Sequence, residues 1–335
     1  MKLRYYIGIR LLLVIPTLFI LLTSTFYIMH VLPGDPLRIL YGERIEETFL
    51  EELRHDLGLD LPISTQYARY LSRFIRGDFG VSLKYRIPVI DKIKEVYPVT
   101  LELALGGLLM AVLMGVPLGV LSALNRGSRI DHIVRGFTLY VYSNPSFWVA
   151  LLFQLVFGLW LGMFPISGHT PPGFRVEKVT GLLVVDSLLA MNFRGLGQSL
   201  RMLALPWLTV GLTGVPFLAR VTRAALIDVM GEDYITTARA KGVKERRVVY
   251  IHAMRNALLP IITVVGGSLT WMLGGSVITE QIFAFPGLGG LLMTALQGRD
   301  FDMIQGIVSI YAVIVIFSNT FVDIIYAAAD PRVKF

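Results

Sequence analysis

Cysteine is absent from all 335 residues. That excludes disulfides, thiolate metal sites and thiol nucleophiles. Charge is scarce as well: Asp, Glu, Lys and Arg together make up 16% of the chain, against about a quarter in an average soluble domain. Between Phe137 and Phe174 none of the four occurs. There is no Gly-Lys dipeptide anywhere, hence no P-loop to cradle phosphates and no ATP hydrolysis by that route. The five histidines stand apart in sequence, and no nucleophile–base pair or metal-ligand spacing forms around them. His55 reads as a helix-surface residue rather than a ligand.

The abundant class is apolar. Hydrophobic residues make up 54% and mean hydropathy is +0.64, the balance of an integral membrane protein with one water-exposed piece. The net charge of +7 does not point to nucleic acid, because the basic residues collect in short segments between apolar runs. Such segments mark the cytoplasmic side.

Lys2, Arg4 and Arg10 precede an uncharged run from Leu11 to Met29, close to the ~20 residues that cross the hydrocarbon. It exceeds a signal peptide's roughly 7–15-residue apolar core, and His30-Val31-Leu32-Pro33 offers no small-residue cleavage site. An uncleaved first span with an internal N-terminus follows. From Pro33 to Pro98, ten Lys/Arg face eleven Asp/Glu, which predicts a small external domain. Helices are expected over 43–57 and 66–75, with a stop and turn at Leu57 to Pro62. The second span, Leu103 to Leu124, carries Gly115 and Gly119 around Pro117, a close-packing pattern that also allows a hinge. Arg126, Arg129 and Arg135 mark an internal loop.

A third span is expected from Phe137 to about Phe164. An external loop then runs to about Arg201, with a turn at Thr170 to Gly173 and an interfacial helix over Val179 to Met191. The fourth span, Met202 to Ala219, contains Pro206 and Pro216. The fifth, Asn256 to Thr279, carries Gly266-Gly267 and Gly274-Gly275, and the sixth runs from Met303 to Val322. Six crossings return both termini to the cytoplasm.

Gly231 to Pro260 is the densest polar stretch of the second half. Between Arg220 and Arg255, eight Lys/Arg oppose four Asp/Glu, so the stretch is internal. Gly231 breaks the preceding helix, Asp233 is expected as N-cap and Gly242 as the left-handed C-cap residue. Ala238 and Ala240 keep the surface low for another protein's backbone. A second helix is expected from Lys244 through Arg255 toward Pro260.

This stretch resembles the cytoplasmic coupling loop, the "EAA" loop, of ABC importer permeases. It is closest to the dipeptide/oligopeptide branch, whose Thr-Ala-Arg-Ala-Lys-Gly core stands here at Thr237 to Gly242. Thr236-Thr237-Ala238 replaces the general Glu-Ala-Ala. Further segments resemble the same family in order: His30 to Pro36, Leu57 to Pro62, Gly77 to Ser82, Pro145 to Trp148, Pro165 to Gly168, Glu280 to Gly289 with Arg299-Asp300, and Asp330-Pro331-Arg332.

The resemblance implies an all-α integral membrane protein with the type I ABC importer permease fold: six transmembrane helices and a small external domain after the first. Residues 1–96 would form the first helix and external domain, 97–328 the permease domain with its coupling loop at about 231–257, and 329–335 a cytoplasmic tail. It implies ATPase coupling through Glu232, Asp233, Tyr234, Thr237, Ala238, Arg239, Ala240, Lys241, Gly242 and Pro260. Pore or gate positions would be Asn144, Trp148, Glu280, Pro286 and Gly287, the last two in a loop dipping toward the pore mouth. The chain would hold no cofactor of its own, with ATP and Mg on partner subunits. Its partners would be a homologous second permease, two ATP-binding subunits, an extracytoplasmic solute-binding protein and membrane lipid, with no nucleic acid. Peptide is the expected solute; relatives carrying oligosaccharides, nickel or glutathione supply the alternatives. A secondary transporter is disfavoured, because ion coupling normally places ionisable groups deep in the spans, and Glu102, Glu280 and Asp323 are expected at span ends.

Overall fold

The computed structural model describes residues 3–31, 37–38 and 46–329. Most of the His30 to Pro36 motif, the first residues of the helix expected from Glu43, and the Asp330-Pro331-Arg332 tail lie outside the described residues. Among those described, every regular element is helical. They are α1 (Leu3–Val31), α2 (Glu47–Leu57), α3 (Ile63–Ile75), α4 (Val89–Leu124), α5 (Arg129–Ser143), α6 (Ser146–Phe153), α7 (Leu183–Leu189), α8 (Phe193–Met230), α9 (Asp233–Ala240), α10 (Glu245–Arg247), α11 (Met254–Gly275), α12 (Val277–Ile282), α13 (Leu288–Gln297) and α14 (Phe301–Ala329). Two π-helical turns, Gln154–Trp160 and Val248–Ala253, extend α6 and join α10 to α11.

Among the described residues, four helical stretches are long and apolar enough to cross a membrane: Val89–Leu124, Phe193–Met230, Glu245–Gly274 and Phe301–Thr320. Leu12–Ile28 and Ser146–Trp160 are apolar but shorter.

Four expected spans differ from the helices observed. The fourth lies within α8, which begins at Phe193 rather than Met202 and so takes in the end of the loop expected to run to about Arg201. The second begins at Val89 rather than Leu103, because Val89, Ile93 and Val96 repeat at helical spacing and are buried. The charged residues between them ride on one continuous helix. The third is broken at Asn144-Pro145: Pro145 disfavours α geometry in the residue before it, and Asn144 is extended at φ −96°, ψ 131°. Asn144 Nδ2 donates to the Tyr140 carbonyl at 2.6 Å and Ser143 Oγ to Leu139 at 2.9 Å, satisfying the end of α5. The fifth stops at Gly275, where the paired glycines lower helix stability, and resumes as α12. Nor is Glu280 to Gly289 an irregular loop. It turns sharply at Ala284, φ +53°, and then forms α13, with Gly289 and Gly290 inside the helix.

The chain forms two compact units. Among the described residues the first comprises 3, 99–285 and 318–329, the second 4–31, 37–38, 46–98 and 286–317. In the second unit, Val89, Ile93 and Val96 pack on Leu288, Leu291, Ala295, Met303, Ile304 and Ile307. The Gly77 to Ser82 segment is tied down by two carboxylates: Asp300 accepts from Ser82 Oγ and the Lys84 amide, and Asp302 from Arg73 and the Val81 amide. Gly80 has φ +81°, and a Cβ there would lie 2.0 Å from Asp302 Oδ2, so only glycine fits.

In the first unit, α4 and α8 meet along small residues. A Cβ on Gly211 would reach Gly107 O at 2.8 Å, and one on Gly119 would reach Ala219 O at 2.6 Å. The Gly115–Gly119 pair is therefore a close-packing seam, in which bare backbones approach and gain dispersion contacts that lipid cannot supply. An ion pair closes one end. Asp131 of α5, 1% exposed, takes a bidentate bond from Arg223 of α8 at 2.9 and 2.7 Å and accepts from Ser122 Oγ of α4. The Arg223 hydrogen bonds, then those from Ser122 and the Gly127 amide, hold the Asp131 carboxyl well below the usual carboxylate range. Because its folded pKa is depressed, its stabilisation is complete above the unfolded value of about 3.9 and is lost only as pH falls through the folded value.

Asp131→Asn is expected to destabilise the detergent-solubilised chain by about 2 kcal/mol, the scale of a hydrogen bond to a charged group. Arg239→Ala, which removes an exposed pair with Glu245, should change stability by under about 1 kcal/mol. Thermal unfolding across pH 5–8 should show the Asp131→Asn deficit constant, since Asp131 stays ionised throughout.

Candidate functional site

Helix α9 is eight residues long and stands between two long apolar helices. Gly231 closes α8 as expected. The N-cap position falls on Glu232 rather than Asp233: Glu232 is extended at φ −76°, ψ 149°, and makes no side-chain capping bond. Asp233 instead opens the first turn, where its negative charge suits the helix dipole. At the other end Gly242 is left-handed, φ +76°. Its amide donates to Arg239 O at 2.9 Å and the Val243 amide to Ala238 O at 3.3 Å, the paired bonds of a Schellman cap.

A single apolar side chain pins this helix. Ile235 is fully buried among Val120 of α4, Leu226 of α8, and Val248, Ala253 and Ala257 of the following helix. Burying an isoleucine is worth about 1.5–3 kcal/mol, and here the contact ties α9 to three helices at once. Ala238 is half-buried against the same cluster, so it serves this socket; Ala240 is exposed. Sequence reading assigned both alanines to an outer surface, and only Ala240 lies there.

The outward face is polar and open. Glu232, Asp233, Tyr234, Thr237, Arg239, Lys241 and Gly242 are all exposed. Arg239 clamps Glu245 through two bonds of 3.1 and 2.7 Å, and this contact raises the guanidinium and lowers the carboxyl. The Tyr234 hydroxyl meets Asn256 Nδ2 at 2.6 Å, bridging α9 to the start of α11. Pro260 lies one turn further along α11. Beside α9 runs a groove floored by Ala123, Ile227 and Met230 and rimmed by Arg126, Arg239 and Arg246.

The remaining candidates do not join this cluster. Asn144 and Trp148 flank the α5–α6 break, Trp148 40% exposed. Glu280, expected at an open pore mouth, is fully buried in the first unit, accepting from Thr100 Oγ1 at 2.8 Å and Ser276 Oγ at 3.3 Å. Pro286 is exposed and Gly287 caps α13 in the second unit.

The sequence reading also missed three features. One is the Asp131–Arg223 pair. Another is Glu102, which binds His169 Nε2 at 3.1 Å and the Val184 amide at 2.9 Å, all buried or half-buried. The third is Asp186, which ties down the loop before α7 through Thr180 and Gly181. His169 also packs edge-on to Phe285, and Gly168 donates to Phe283 O. The Asp131–Arg223 and Glu102–His169 pairings leave no local signal, because their partners lie 92 and 67 residues apart; Asp186 reaches back only five or six residues to Gly181 and Thr180.

Comparison with known proteins places this geometry. The family described as binding-protein-dependent transport system inner membrane component matches residues 115–335, and its N-terminal companion matches 3–104. A di/tripeptide transport system permease protein of Pseudomonas aeruginosa is 39% identical over 98% of both chains. A dipeptide transport system permease protein of Escherichia coli K12 is 37% identical over 97% of both. The inward-facing MetNI methionine ABC transporter aligns with a TM-score of 0.52 at 18% identity, covering 72% of this chain and 96% of that one. The chain therefore belongs to the binding-protein-dependent transport system inner membrane component family, and its fold is that of a type I ABC importer permease.

Proposed function

We propose that this chain is one membrane-spanning half of an ATP-driven importer, and that α9 is the lever through which separate ATPase subunits move it. The carrying observation is Ile235, wholly buried under an otherwise polar helix. A force applied to the exposed face is delivered through that side chain to α4, α8 and α11 together. Gly242 and the Arg239–Glu245 clamp keep α9 a rigid body, as a two-state switch requires. The π-turn at Val248–Ala253, which supplies two socket residues, and Pro260 beyond them weaken the hydrogen-bond ladder, which supports a pivot there.

In this reading Glu232, Asp233, Tyr234, Thr237, Arg239, Ala240, Lys241 and Gly242 meet the ATPase, Ala238 and Pro260 transmit from behind, and ATP and Mg stay on the partner. The six runs cross the membrane with both termini cytoplasmic. A second, homologous permease completes the path, and an extracytoplasmic solute-binding protein delivers the solute. Asn144, Trp148, Pro286 and Gly287 remain positions for the path or its outer gate, while Glu280 acts through buried bonds to Thr100 and Ser276. The substrates in the relatives' names support peptide as the solute.

Two outcomes follow. In the reconstituted transporter, Gly242→Trp, forced onto a left-handed backbone, should cut uptake at least tenfold while ATP hydrolysis continues. Ile235→Ala, a truncation of the kind that costs about 2–5 kcal/mol, should uncouple in the same way. Wild-type uptake in both variants contradicts the lever. Separately, calorimetry on the cognate solute-binding protein should show saturable binding of di- and tripeptides and none of oligosaccharides; the reverse pattern excludes peptide.

A further inference from the structure

In the second unit, residues of α1, α3 and α14 enclose a cavity of about 240 Å³ that no part of the transport reading uses. Its walls are aromatic. Phe26 stacks on Tyr70 with centroids 5.6 Å apart, and Phe74 meets Phe79 edge-on at 5.9 Å. Into this apolar shell project charged and amide groups, an arrangement that marks a ligand site more than a packing defect.

Some of those groups satisfy one another. Arg73 binds Asp78 at 3.1 Å and Asp302 at 3.3 Å, and Asp78 also takes the Gly80 amide. Others do not. Gln305 lines the cavity and is only 7% exposed, yet among the described residues its amide makes no hydrogen bond. Arg69, at the cavity beside Gly58, likewise makes no hydrogen bond or ion pair among the described residues; Asp60 feels its field but is bonded to His55. Both bonds to Asp302 fall on Oδ2, leaving Oδ1 without a donor among the described residues.

We propose that this cavity binds a small zwitterion, its ammonium at the open oxygen of Asp302, its anionic group at Arg69 and an amide contact at Gln305. The volume lies below the ~300–1,000 Å³ of pockets for drug-sized ligands, so the site takes one amino acid rather than a peptide chain. The ammonium and phosphate of a phospholipid headgroup have the same chemistry. The site shares no lining residue with α9 or with the positions assigned to the solute path, and its test needs neither ATP nor partner subunits.

The test is calorimetry on the full chain in a detergent without charged groups. The probes are free leucine, N-acetyl-leucine, leucine amide and glycerophosphoethanolamine. Saturable binding of leucine identifies a free amino acid, and binding of glycerophosphoethanolamine alone identifies a lipid headgroup; either supports the site. Both blocked leucines should bind at least tenfold more weakly than leucine. Arg69→Ala and Gln305→Leu should each weaken the bound probe at least tenfold without lowering the unfolding temperature. If Gln305→Leu unfolds, exposed Arg69→Ala carries the same reading. The proposal is overturned if neither leucine nor glycerophosphoethanolamine binds, leaving a cavity that holds water only. It is equally overturned if blocked and free leucine bind alike, or if Arg69→Ala leaves affinity unchanged.

Discussion

One buried side chain, Ile235, determines what the exposed helix of this permease can do. Without it α9 would be a solvated eight-residue segment, too short to persist alone in water. With it, a polar face of more than two turns is locked to three long helices. Low contact area and high mechanical consequence coexist because packed interiors move as bodies rather than deform.

The helices behind the socket are suited to moving in concert. Along α4 and α8, Gly107, Gly115, Gly119 and Gly211 bring backbone against backbone, and side chains at those positions would collide. Asp131 and Arg223 fasten α5 to the same pair at the end nearest the socket residues Val120 and Leu226. At a separate place in the first unit, Glu102, His169 and Glu280 form buried polar ties between the α4 helix and the segments around α7 and α12. Carboxylates within an apolar unit are costly unless bonded, and each of these has partners from a distant segment. They are structural rivets in this chain.

How much of this was legible in the sequence depended on range. Apolar run length fixed the membrane class, and caps are local enough to be read directly: Gly231 and Gly242 stand where expected. Glu232 displaced Asp233 as N-cap because either acidic residue suits that end of a helix, and the boundary shifted by one. Charge misled at the start of α4, where Asp91, Lys92, Lys94 and Glu95 suggested a domain edge while the buried stripe of Val89, Ile93 and Val96 kept the helix going. Pro145 was read as part of a span although its effect on Asn144 breaks the helix. Tertiary pairings such as Arg223 with Asp131 and His169 with Glu102 were invisible, since 92 and 67 residues separate the partners.

The absence of cysteine makes the central claim directly accessible. A single cysteine introduced at exposed Lys241, in the assembled transporter with the ATPase subunits and treated with a thiol-to-amine bifunctional reagent, should form a crosslink to one of them in high yield, and the yield should change between nucleotide-free and ATP-bound states. A cysteine at exposed Met191 provides the negative control. If Lys241→Cys crosslinks no better than Met191→Cys in any nucleotide state, α9 is not the docking surface and the lever account fails.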